Sequence, residues 1–159
     1  PENLKVCTLS ELYQIHRVSG DKKLIYRTEI VKQFPLYPIF PEERFVPLGS
    51  LYLMIDQRYK LLPLNEVVCI VEYLADGSSM NIFKQYRRHP KGFAYSREIA
   101  MKYGITLKQK FKNAVHYVAS NIQLKRLSFI FKSPNVPLTI LALPFGLFLY
   151  FYIRFKAKN

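Results

Sequence analysis

An uncharged run near the end of the chain constrains it most. Val136 to Ile153 reads VPLTILALPFGLFLYFYI, 18 residues without a charge, with Thr139 its one aliphatic hydroxyl. At about 1.5 Å rise per residue, such a run forms a helix of roughly 27 Å, close to the hydrocarbon thickness of a bilayer. A lone segment at that depth has to satisfy its own backbone, and only a helix does so. Ser133, Pro134 and Asn135 make a polar break before the run, and Pro137 falls in the first turn, where a missing N–H costs little. Tyr150 and Tyr152 sit where an interfacial aromatic belt belongs, followed by Arg154, Lys156 and Lys158. The sequence thus predicts one transmembrane helix over 136–153, with Pro144 as a candidate kink, and a basic tail over 154–159. A buried core helix of a soluble protein is the competing reading, but such helices rarely sustain so long an apolar run with interfacial flanks.

Thr139, Ala142, Gly146 and Tyr150 recur at three- and four-residue spacing and so share one helix face. Ala142 and Gly146 form a small-xxx-small pair, which lets a second helix approach closely. This face is expected to pack on a neighbouring helix. The run holds no ionisable group, so nothing in it suggests a transport pathway.

Charge is distributed unevenly. The chain has 159 residues and a formal net charge of +13, from 24 Lys and Arg against 11 Asp and Glu. All the acids lie at or before Glu98; residues 99–159 carry 10 Lys and Arg and no acid. From Thr106 the residues Leu107, Phe111, Ala114, Val115, Val118 and Ile122 follow the helical period, and Lys108, Lys110 and Lys112 lie largely off that face. Lys125, Arg126 and Lys132 come next. Residues 99–132 are therefore expected to form a basic amphipathic helix running up to the membrane. Its lysines and arginines would contact anionic lipid such as cardiolipin, or acidic neighbours, each gaining about 1 kcal/mol near an acidic leaflet. An ordinary helix packed on its own domain, with a solvated basic face, fits the same pattern. The basic balance also raises nucleic acid, but there is no RNP-like motif, zinc knuckle or GxxG loop, and nucleic acid is not the expected partner.

Residues 1–98 are mixed in pattern, and an α+β or irregular extramembrane region is expected. Ser10 is a candidate cap for a helix over 11–18. Residues 23–32 (KLIYRTEIVK) read as a strand, 51–62 as a short helix, and 65–74 as either. The turn at 76–79 and residues 80–87 suggest a hairpin. Pro35, Pro38 and Pro41 recur every third residue inside an extended segment over 34–47, whose Phe34, Leu36, Tyr37, Ile39 and Phe40 call for burial against this domain or a neighbouring subunit. Arg87 to Gly92 reads as a basic loop, and Glu42-Glu43 as a solvated turn.

Sequence signatures of catalysis or cofactor binding are missing. Cys7 and Cys69 lie far apart with no close ligand pair for zinc or an iron–sulfur cluster, and Cys69, in an apolar run, reads as a buried thiol. His16, His89 and His116 are scattered, and His116 has no nearby carboxylate in sequence to orient it as a base. GxSxG, GxxxxGK[ST], GxGxxG and HExxH do not occur. No catalytic, cofactor-binding or metal-ligating residue is therefore expected.

Residues 1–12 show no signal-peptide core and no Arg- and Ser-rich presequence, and Pro1 implies a removed methionine or a longer leader. The layout of the whole chain resembles the accessory subunits of organellar energy-transducing membrane complexes: small, basic, single-span, proline-containing and without catalytic residues. That resemblance implies a structural subunit of a respiratory-chain or ATP synthase assembly in the mitochondrial inner membrane, with other membrane-protein subunits as partners. A tail-anchored adaptor or import component of the mitochondrial outer membrane, and an RNA-contacting tether of an organellar ribosome, are the alternatives.

Overall fold

The computed structural model describes residues 6–72, 77 and 80–157. Seven α-helices appear among them. Three short ones, α1 (Leu9–Gln14), α2 (Thr28–Val31) and α3 (Gly49–Ile55), are followed by α4 (Ile82–Arg88), α5 (Pro90–Tyr103), α6 (Leu107–Gln123) and α7 (Val136–Lys156). A single 3₁₀ turn at Leu127–Phe129 lies between the last two.

Local chemistry explains where the long helices begin and end. Pro90 opens α5 at a position whose N–H has no helical partner, and Gly104 ends it with extended backbone. Thr106 then caps α6, its hydroxyl accepting the Gln109 N–H at 3.1 Å. At the far end of α6, Lys125 takes a left-handed backbone (φ 54°) and the Arg126 N–H reaches back to the Asn121 carbonyl at 3.2 Å. This six-to-one bond closes the helix, with lysine where glycine is usual. Asn135 caps α7 by accepting the Leu138 N–H at 3.0 Å. The helix then runs without a break through Pro144 to Lys156.

Helix α6 lies between α5 and α7. Met101 from α5, Ala114, Tyr117 and Val118 from α6, Phe129 from the 3₁₀ turn, and Leu138 and Ala142 from α7 form the main core. Phe111, Val115 and Ile122, half of the apolar stripe read from sequence, pack against it. Helix α4 closes one side: Phe83 meets Tyr152 of α7, and Tyr86 meets Phe93 and His116. A second, smaller core joins Cys7, Leu9 and Leu12 to Val18, Leu24, Tyr52 and Leu61.

The α+β expectation does not hold. No strand occurs among the described residues, which contain only isolated bridges, Cys7 with Leu61 and Phe40 with Glu43. The segment read as a strand over 23–32 runs extended and then coils into α2, because no second strand lies beside it. The expected return strand over 80–87 is α4, whose Phe83 and Tyr86, three apart, both find aromatic partners on helices. The juxtamembrane stretch 99–132 is not one helix but the end of α5, then α6 and the 3₁₀ turn, broken at Gly104. The turn at 76–79 and the end of the 65–74 segment fall largely outside the described residues.

Candidate membrane and partner surface

Helix α7 is long and apolar enough to cross a membrane. Its two faces differ sharply. Thr139 and Ala142 are fully covered (0% exposed), and Leu138, Gly146 and Ile153 are buried with them. Leu138 and Ala142 share one cluster with Ala114, Tyr117 and Val118 of this chain's own α6. A side chain at Gly146 would run into the Val118 side chain and approach the Val115 carbonyl oxygen at 3.0 Å, so glycine is what admits α6 at this point. Phe111 and Phe145 add an edge-on ring contact at 5.6 Å. Of the four predicted helix-packing residues, Ala142 and Gly146 thus lie on the seam with α6, and the buried Thr139 bonds to Ser133 and Asn135. Tyr150 is half-buried, and its hydroxyl accepts a hydrogen bond from Arg154 at 2.7 Å. On the outer face, Ile140, Leu141, Phe148 (74% exposed), Phe151 and Phe155 are uncovered.

The basic residues fall into two groups. Lys108 and Lys112 are exposed along α6 and Lys110 is half-buried, while Arg154 and Lys156 are exposed in the last turn of α7. Lys125, Arg126 and Lys132 are exposed between α6 and α7. Lys158 lies outside the described residues. Arg126 and Lys132 also line a cleft of about 270 Å³, together with Lys91, Tyr95, Glu98 and Phe129. In sequence, Lys125, Arg126 and Lys132 precede the apolar helix and Arg154 and Lys156 close it, as interfacial anchors do.

Other residues have roles that sequence did not disclose. Glu43, read as solvated, is half-buried, and its carboxylate accepts the Lys91 and Gly92 N–H groups, each at 2.8 Å. It caps α5 from 48 residues away, with Glu42 paired to the Lys91 ammonium at 3.3 Å. The region read as a basic loop is therefore the junction of two helices. Asp56 does the same for α1, accepting from the Leu9 and Ser10 N–H groups and the Ser10 hydroxyl. Carboxylates at helix N-termini are a recognisable signal only once the fold has brought them there.

Between α4, α5 and α6, Arg97 lies over the rings of Tyr86 and Phe93 and donates to the Asn113 side chain at 3.1 Å. No carboxylate pairs with it among the described residues. Burial lowers its basicity. Beside it, His116 is held down to about 3, first by burial and then by the charges of Arg97 and Lys112. This imidazole is neutral at physiological pH. Cys69, expected to be buried, is exposed; Cys7 is the buried thiol. Among the described residues no three of His, Cys, Asp and Glu come together as a metal site would require.

The extended regions carry the remaining surface. In the proline-containing segment Phe34, Tyr37 and Phe40 are half-buried, and the Tyr37 hydroxyl donates to the Leu48 carbonyl at 2.9 Å. Leu36 and Ile39 are each 91% exposed. Residues 62–72 form neither helix nor strand, and Val67, Val68 and Ile70 (94% exposed) stand clear of the domain.

Comparison with models of protein families, with curated proteins and with solved structures finds no match to this chain.

Proposed function

We propose that this chain is a non-catalytic, single-pass accessory subunit that braces a large organellar membrane complex, set in the mitochondrial inner membrane within a respiratory-chain or ATP synthase assembly. The observation that carries the reading is the apolar surface left uncovered outside the helices. Leu36 and Ile39 project from the proline-containing segment, and Val67 and Ile70 from residues 62–72, each 89–94% exposed. Isolated exposed apolar residues are ordinary, but runs of them on chain outside the helices favour a partner that covers them. Such segments gain their order from the surface they lie on, in the manner of a strap. The apolar helix supplies the anchor, and the acid-free basic half supplies affinity for anionic lipid such as cardiolipin or for acidic subunits. The mitochondrial setting rests on the resemblance in layout and on the modest length of the span.

Native electrophoresis of a mild-detergent extract, with mass spectrometry of the band containing this chain, tests the reading. Co-migration with respiratory or ATP synthase subunits supports it. Migration as a free monomer, or with cytosolic factors, replaces it with an anchored adaptor.

A further inference from the structure

We infer that α6 is an intramolecular dock for the membrane helix, so that the chain has two mutually exclusive states: α7 docked on α6, and α7 across the bilayer with α6 vacated. The inference rests on reading α7 as the chain's membrane span.

The docked state is the one described above, with Leu138 and Ala142 packed against α6 and the notch at Gly146 filled by Val118. In that pose α7 cannot enter hydrocarbon alone. Helix α6, about 25 Å long and in contact with α7 along the Gly146 seam, would go with it. Its Lys108, Gln109, Lys112, His116 and Gln123 would be carried towards hydrocarbon depth, and α5 with Arg97, Glu98 and Lys102 lies directly behind. Polar and charged groups of that number do not reside in lipid without a water-filled or protein-lined path. Spanning therefore requires release from α6.

The joint between the two helices suits such a release. Each helix carries its own N-terminal cap: Thr106 for α6, Asn135 for α7. The Thr139 hydroxyl donates to the Asn135 carbonyl at 2.9 Å and meets the Ser133 hydroxyl, all within the same short stretch. These bonds travel with α7 when it leaves. Between the helices lies the left-handed Lys125, where backbone rotation disrupts no long helix.

Release uncovers Phe111, Val115, Val118 and Ile122, flanked by Lys108 and Lys112. An acidic lipid surface is the occupant that fits, because the stripe is apolar, its margins are basic, and no acid follows Glu98 in the chain. The docked state thus shields part of the span before insertion, and the membrane takes over both faces afterwards.

The test uses the full chain made by cell-free synthesis, carrying Cys69→Ser with Phe111→Cys and Phe145→Cys, whose native rings touch. A short bis-methanethiosulfonate, cleavable by dithiothreitol, bridges the pair before phosphatidylcholine–phosphatidylglycerol vesicles are added. The bridged chain is expected to lose about tenfold or more of its carbonate-resistant, vesicle-floating fraction, and cleavage is expected to restore it. Gly146→Leu, which fills the notch, is expected to insert at least as well as the native chain and to bridge poorly in the double-cysteine background. Equal insertion of bridged and cleaved chains overturns the exclusivity of the two states. Failure of the pair to bridge in the absence of vesicles overturns the docked state. Failure of the native chain itself to become carbonate-resistant overturns the single-span reading, and this inference with it.

Discussion

The carboxylate of Glu43 accepts the backbone N–H of Gly92 at 2.8 Å, tying the proline-containing segment to the first turn of α5. Gly92 is needed there for a second reason: a side chain at this position would collide with the Phe45 carbonyl oxygen. Glu43→Ala is expected to cost about 1–3 kcal/mol, since it leaves two helix-terminal donors unpaired. Gly92→Ala is expected to cost more than the cap itself, because the obstacle is backbone. Thermal unfolding of the detergent-solubilised chain measures both, and an unchanged midpoint for Gly92→Ala contradicts the packing described here.

Asp56 holds α1 to the end of α3 through three bonds of 2.7–3.0 Å. Asp56→Asn keeps the shape and removes the charge, and is expected to destabilise the small N-terminal core by about 1–2 kcal/mol. Hydrogen exchange at Leu9 and Ser10 reports it locally. Faster exchange there, with α5–α7 unaffected, is the expected pattern.

His116 gives stability a pH dependence of definite sign. Its folded value, about 3, lies below the ordinary 6.5, so the unfolded chain binds the extra proton. Its contribution is complete above pH 6.5 and is lost as pH falls towards 3, at up to about 1.4 kcal/mol per unit. Arg97→Met removes one of the charges that holds the imidazole down and leaves the larger cause, burial, in place. The His116 titration is expected to move upwards in that variant without reaching the ordinary value. The replacement also takes a buried cation without a carboxylate out of the interior, so stability at neutral pH is expected to be unchanged or higher. A fall of several kcal/mol in Arg97→Met contradicts this account of the cluster.

What the sequence made legible, and what it did not, follows from the range of the forces involved. The apolar run and the apolar stripe of α6 are short-range signals, and helices are present over both, whereas the cap of α1 is Thr8 and not Ser10. The strands expected in the N-terminal region are absent among the described residues because β-branched and aromatic residues such as Ile30, Phe83 and Tyr86 favour a pleated surface only where a second strand exists. Here the neighbours are helices. The seam at Gly146 was visible as a small-residue face, but its partner was not: a pattern says that a helix can approach, not whose helix it is. Glu43 and Asp56 act across 48 and 46 residues respectively, and nothing local distinguishes them from solvated acids.

The basic residues of α6 supply a lipid prediction. Lys108→Gln with Lys112→Gln is expected to weaken binding to anionic vesicles by about 2 kcal/mol, at about 1 kcal/mol for each charge, and to leave binding to neutral vesicles unchanged. The difference is expected to shrink as salt rises. Equal losses on neutral and anionic vesicles contradict an electrostatic role.

The central claim is that the exposed apolar segments around Leu36, Ile39 and Ile70 are covered in the assembled state. Site-specific photo-cross-linking tests it most directly, with benzophenone-phenylalanine placed in turn at Leu36, Ile39 and Ile70 of the full chain in its native membrane. The account predicts cross-links at each position to a small, fixed set of membrane-complex subunits. Positions that give no cross-link, or cross-links only within this chain, contradict it.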